Sequence, residues 1–443
     1  MKYKNYYLIL IFGLFLILFA TLSSKVGFHD SYEYITMAKN LAGIKNLNVF
    51  STHSMFYPAV ISLFLKIWPT LTMIKLVNTF WLFAIGLVFL FWLKNKQAFL
   101  IFAFSPLTWF MSIQTTPVLP ASFFLLLAYI FLKKDCIKYN KLYSGFFLGV
   151  CSAVYTPMIL VSVIFILVYF WSAKISEVVT YLLVLSLGIL PRFVLDFYLF
   201  GNPFYSFIRY TGTNILISMG INPTISSLGI LNHFDFLLIF LVISPFLYKL
   251  IKLNFKLYRQ DILFLVFAGG IILIRTANMK YFMLFSPIII LLLSNILTKK
   301  EIKLHCLISI ILIIILTFSF FGITKDKLIQ EDIDKIAQEF MEREIIGGPF
   351  EGNKLATFLW EDEPKIIWFM DFEAGVKNKS SLKKYSFEIN KNKNTREILE
   401  ISVDFKRLNN LNYENYIIVS ENKEEMLKRF ELIKCYETLC VYQ

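Results

Sequence analysis

Leu142–Ala173 reads LYSGFFLGVC SAVYTPMILV SVIFILVYFW SA, 32 residues without one charged side chain. At 1.5 Å per helical residue, about 20 residues cross a 30 Å hydrocarbon core. The run is therefore long for one crossing and slightly short for two. Loop charge decides between them. If the chain turns back near Tyr155-Thr156-Pro157, every basic cluster falls on one side: Lys94/Lys96, Lys133/Lys134/Lys138/Lys141, Lys174, Lys249/Lys252/Lys256/Arg259 and Lys299/Lys300/Lys303. A single crossing sends the last three clusters to the opposite side, against the bias of basic residues for the inner face. The reading is a hairpin of short helices.

Working outward, apolar runs also cover Tyr6–Leu22 and roughly 71–93, 97–113, 118–132, 178–199, 234–251, 261–274, 281–298 and 304–322. Tyr6–Leu22 is longer than a signal-peptide core and is read as a retained helix. The sum is a polytopic α-helical membrane protein of about 11 spans, with its N-terminus inside and its C-terminal tail outside. Composition agrees. Hydrophobic residues make up 57% of 443, with 47 Phe and 23 Tyr, against about 45–50% apolar in a soluble domain. Mean hydropathy is +0.64. A cytosolic enzyme, a disordered chain and a disulfide-stapled miniprotein are excluded.

The net charge of +13 divides unevenly. Residues 1–323 hold 25 Lys and Arg against 8 Asp and Glu, and residues 324–443 hold 19 against 23. The basic excess lies in short clusters between apolar runs, so no nucleic-acid partner is implied. The domains expected are 1–323, transmembrane with a first outer loop over 23–70, and 324–443, an extracytoplasmic α/β domain. In the tail, Glu331–Ile345 and Asn422–Phe430 have helical periodicity, and Lys365–Phe372 and Tyr416–Ser420 read as strands. Cys435 and Cys440 stand between strand-like pieces, as a hairpin-closing disulfide or as two free thiols.

Chemistry on the outer side has few candidates. Of eight acids before the tail, Asp30, Glu33, Asp196 and Asp235 fall at outer ends, as do His29, His53 and His233. Tyr32, Tyr34, Ile35, Ala38, Leu41 and Ala42 recur at helical spacing, which suggests a helix lying along the membrane surface with Asp30 at its start. Asp30 could serve there as a helix cap or as a base. His29, His53, His233 and Asp235 offer ligands for a divalent metal, though no spacing among them fixes one.

Phe28-His29-Asp30-Ser31-Tyr32-Glu33-Tyr34 resembles the first-loop signature of the GT-C glycosyltransferases, in the protein-O-mannosyltransferase and aminoarabinose-transferase branch. Further segments follow in the family's order: His53–Pro58, the glycine-bearing hairpin Gly145–Pro157, Gly201-Asn202-Pro203-Phe204-Tyr205, and Lys280-Tyr281 with Pro287. The chain departs from the family pattern at Ser31, Thr116-Pro117, Thr156 and Lys280. The resemblance implies an inverting transfer of sugar from a polyprenyl-phosphate donor to a lipid, glycan or protein acceptor, on the outer face of the cell membrane. Under it Asp30 is the general base and Glu33 a second acid. Lys280, Arg275 and Arg209 meet the donor phosphate, and His29, His53 and Tyr57 belong to the substrate loop. No cofactor follows with certainty, and a divalent metal stays open. The competing classes are a non-catalytic membrane scaffold and a lipid or solute transporter. Spans poor in buried charge, without repeat symmetry, argue against the transporter.

Overall fold

The structure, a computed structural model, describes residues 2–27, 29–44, 53–133, 139–218, 259–275, 279–321, 324–347, 349–360, 366–368, 416–421 and 430–443. In chain order the helices are α1 Lys2–Leu22, α2 His29–Ala42, α3 Phe56–Leu65, α4 Leu71–Leu87, α5 Lys96–Ala103, α6 Pro106–Ser112, α7 Val118–Lys133, α8 Asn140–Val154 and α9 Met158–Tyr169. They continue as α10 Ile175–Phe200, α11 Tyr205–Ser218, α12 Arg259–Arg275, α13 Met279–Phe282, α14 Ser286–Ile296, α15 Lys299–Phe321, α16 Lys325–Glu339 and α17 Pro349–Phe358. Two compact units result. One comprises Met1–Ser23, Lys75–Leu195 and Leu228–Phe321; the other comprises Ser24–Ile74, Asp196–Ser227 and Gly322–Gln443.

The first unit is helical. Among the described residues Asn5–Leu22, Leu71–Trp92 and Ile175–Phe200 are long and apolar enough to cross a membrane. Leu10, Leu14, Leu18 and Leu22 on α1 and Leu304, Leu307, Ile311 and Ile315 on α15 lie exposed. Apolar faces of that extent suit hydrocarbon and would be costly in water. The inner side of α1 is aromatic, with Phe12 set edge-on to Phe99 and Trp109 at 5.6 and 6.1 Å.

The deciding run breaks where the charge argument puts the turn: α8 stops at Val154 and α9 starts at Met158. Hydrogen bonds fix the direction of each helix. Cys151 near the end of α8 donates to the Ala121 carbonyl in the first turn of α7 (3.1 Å). At the opposite end, Asp261 at the start of α12 pairs with Lys133 ending α7 (2.9 Å) and accepts from Tyr169 ending α9 (2.7 Å). So α8 leaves the Lys133 end and α9 returns to it.

Two apolar runs differ from expectation. The run 97–113 divides into α5 and α6, because Pro106 disfavours helical geometry at Ser105, whose ψ is 124°. The run 281–298 divides into α13 and α14 across a turn that ends at Ser286-Pro287. The run 234–251 lies outside the described residues.

Helices α8 and α10 approach closely through glycines. A Cβ on Gly149 would fall on the Leu185 carbonyl oxygen and 2.8 Å from the Gly188 Cα. Small residues at such contacts let backbones pack where water gives no driving force. Gly149→Ala should therefore cost about 2–3 kcal/mol, since backbone atoms cannot rotate away. Gly269→Ala meets nothing within 4 Å and serves as the control. Thermal unfolding in detergent checks both; equal midpoints would reject the close contact.

Among the described residues of the second unit a five-stranded mixed sheet has the order β2-β1-β3-β5-β4, with β1 Glu344–Gly347, β2 Ile366–Trp368, β3 Tyr416–Ser420, β4 Leu432–Cys435 and β5 Cys440–Tyr442. β1 runs parallel to β2 and β3, whereas β5 is antiparallel to β3 and β4. The strand expected at Tyr416–Ser420 is present, and of the one expected at Lys365–Phe372 the described residues 366–368 form β2. The helix expected to reach Ile345 ends instead at Glu339. Ile345 and Ile346 are taken by the central strand β1, where pairing on both sides outweighs local periodicity. Residues 422–429, expected as a helix, lie outside the described set. Cys435 and Cys440 form the disulfide. Their turn is held by buried Asp332 of α16, whose carboxylate accepts from the Thr438 and Leu439 amides at 2.6 and 3.2 Å.

Candidate functional site

The second unit gathers Asp30, Glu33, His53, Tyr57 and Arg209. The chain enters α2 through Gly27, whose φ of +138° only glycine adopts without strain. His29 opens the helix and Asp30 stands half-buried in its first turn, where the helix dipole favours a carboxylate. Glu33 follows at i+3, close to the same face. Its Oε2 lies 3.6 Å from His53 Nε2, both side chains being largely but not wholly covered. His53 sits between Tyr34 and Tyr210, with ring centroids 5.1 and 6.1 Å away. Tyr57 on α3 is buried edge-on to Tyr34 at 5.6 Å.

Helix α11 brings Tyr210 and Arg209. Asp196 fixes its start, accepting from the Ser206 amide (3.0 Å) and hydroxyl (2.5 Å). Asp196 thus has a capping role. Arg209 is buried, with Nη1 3.4 Å from the Tyr205 hydroxyl.

Periodicity was right about α2 as a helix, and its apolar stripe is covered by protein. Both faces meet protein: Tyr34 packs on Tyr57 of α3, and Tyr32 on Phe358 of α17 at 6.1 Å. Lys39 is fully buried. Its Nζ donates to the Ala356, Thr357 and Leu359 carbonyls at 2.9, 2.5 and 3.1 Å and lies 3.6 Å from the Trp360 ring centroid. One ammonium thereby serves the unpaired carbonyls where α17 ends. Lys39 was missed by the sequence reading, although Tyr32, Ile35, Thr36 and Lys39 share one face at i, i+3, i+4 and i+7. A lysine on an apolar stripe was the available signal.

In the first unit Lys280 is buried, its Nζ 5.1 Å from the Tyr281 ring centroid. Tyr281 stacks on Tyr155, at the α8–α9 break, with centroids 6.2 Å apart. Arg192 Nη1 reaches the Ser152 carbonyl at 3.4 Å, near that same break. Lys75, also missed, is buried and donates to the Ser23 carbonyl at 2.5 Å. Arg275 ends α12. His233 and Asp235 lie outside the described residues, and among those described no group of three His, Cys, Asp or Glu is placed to hold a metal ion.

No protein-family model and no curated protein matches the chain. Solved structures do. Over 98% of this chain and 97% of the other, it superimposes on the crystal structure of ArnT from Cupriavidus metallidurans bound to undecaprenyl phosphate, with a TM-score of 0.66 and 10% identity. The apo structure of the same ArnT matches over 100% of this chain and 98% of the other, with a TM-score of 0.65 and 9% identity. Identity that low leaves side-chain roles open while the path of the backbone agrees nearly end to end: the chain has the GT-C-like fold of ArnT.

Proposed function

We propose that this protein is a membrane glycosyltransferase of the GT-C type, moving a sugar from a polyprenyl-phosphate donor to an acceptor hydroxyl with inversion. The observation that carries the reading is the near full-length likeness to ArnT, one of whose structures holds undecaprenyl phosphate. The half-buried Asp30, in the first turn of a helix packed on both faces, supports a placed base. In the reaction proposed, the acceptor oxygen attacks the anomeric carbon and gives its proton to Asp30. The bond from that carbon to the phosphate oxygen breaks, and its electron pair leaves with the lipid phosphate. A carboxylate within hydrogen-bond reach contributes about 10²–10⁴-fold to such a step. Lys280, with Arg275 and Arg209, is assigned to the leaving phosphate, because cations placed where charge develops lower the barrier. Glu33 is assigned as a second acid, and His29, His53 and Tyr57 to the substrate loop.

The proposal includes eleven crossings, with residues 1–323 as the membrane domain and 324–443 outside. The Cys435–Cys440 disulfide supports an outer, oxidising location for the tail. Membranes containing the protein, incubated with labelled undecaprenyl-phosphate sugars, test the activity. Lys280→Ala should weaken donor capture about 10-fold, the scale of one charge-assisted hydrogen bond, and should also lower turnover at saturating donor, because the same cation stabilises the departing phosphate. Unchanged donor affinity would remove Lys280 from the site.

A further inference from the structure

We infer that Asp326 is a positioning residue: the tail latches the entry to α2 and so sets where Asp30 and Glu33 stand. This role rests on the transferase reading above. The geometry lies wholly within the second unit. Asp326 Oδ2 accepts from the Val26 amide at 2.8 Å, and Oδ1 accepts from the Tyr32 hydroxyl at 2.7 Å. Those two donors bracket Gly27–Ser31, the segment that carries Asp30. One further contact extends the latch. Ser24 and Thr324 share a hydroxyl hydrogen bond of 2.7 Å, so 24 meets 324 and 26 meets 326.

The latch is rigid on its tail side. Thr324 is the N-cap of α16, its Oγ1 accepting from the Lys327 amide at 3.3 Å, which puts Asp326 in the first turn. A carboxylate is favoured there by the helix dipole as well as by its two donors. Tyr32 is held on its other side too, because Thr357 Oγ1 donates to the Tyr32 carbonyl at 3.3 Å. Burial first, then the Asp326 charge, pushes the Tyr32 phenol pKa far up, so it remains a donor across the physiological range.

A base one ångström out of place can cost about 10²-fold in rate, even when the altered residue is remote from the reacting atoms. Asp326→Ala should therefore lower kcat about 10-fold or more while donor KM stays within about twofold, the pattern of an interaction realised in the transition state. Tyr32→Phe removes one of the two bonds and should lie between. Asp326→Asn keeps one acceptor and should recover part of the loss.

Hydrogen exchange separates positioning from general destabilisation. In Asp326→Ala, exchange over residues 24–42 should rise about 10-fold while Asn140–Val154 stays at the wild-type rate. An unchanged rate over 24–42, or an equal rise throughout the chain, overturns the latch. So does wild-type kcat in Asp326→Ala, given an active wild type. A wild type that transfers no sugar sinks the transferase reading instead, and the positioning role with it.

Discussion

Asp30→Asn is expected to lower sugar transfer by at least about 10²-fold, the range for loss of a general base. Asparagine preserves the shape of the side chain and most of its hydrogen bonding, and removes only the capacity to take a proton. The competing view is that Asp30 simply favours the start of α2. Its place in the first turn makes that view quantitative, since a carboxylate there contributes about 0.3–1 kcal/mol through the helix dipole. The two views diverge sharply. A dipole role predicts a small shift in unfolding midpoint and unaltered turnover. A base predicts the same small shift in midpoint and unaltered donor binding, with turnover nearly lost. Wild-type transfer by Asp30→Asn would end the base assignment, and Glu33 at i+3 would be the next carboxylate to test.

Lys39→Met is expected to destabilise the second unit by about 3–4 kcal/mol. The variant keeps the apolar stem but removes the ammonium from three carbonyl oxygens at the end of α17. Charge-assisted hydrogen bonds contribute about 1.5–3 kcal/mol each, and buried acceptors left without donors add their own desolvation cost. The expected loss is below the simple sum because the freed carbonyls can relax toward water or nearby N–H and O–H donors. Against a typical total of about 5–15 kcal/mol, it is a large fraction. The measurement is the tryptic cleavage rate of α17 and the sheet in detergent-solubilised protein. Cleavage at the wild-type rate would show that Lys39 does not hold α2 to α17. Lys39→Arg should be an incomplete rescue, since a planar guanidinium directs its donors differently from a compact ammonium.

Much of the membrane part follows from sequence because hydrocarbon imposes a one-dimensional rule. Every backbone polar group must be paired within its own segment, so apolar runs become helices almost without regard to neighbours. Charge then sets direction, as in the turn at Tyr155-Thr156-Pro157 between α8 and α9. The family motifs pointed in the same way to the backbone path shared with ArnT. Asp30 was legible as a candidate because a carboxylate just beyond an apolar run stands out against its surroundings.

Only the tertiary structure decided how the outer segments are held. Periodicity placed Tyr32 and Tyr34 on a helix but could not tell a lipid surface from α3 and α17, since each covers an apolar stripe equally well. Lys39 and Asp326 gain their roles from partners hundreds of residues away in sequence, and strand β1 from β2 and β3 further along the tail. Such contacts leave no local period. The buried lysine on the apolar face of α2 is the nearest the sequence comes to announcing one, and its meaning depends on carbonyls at Ala356, Thr357 and Leu359 that only folding brings to it.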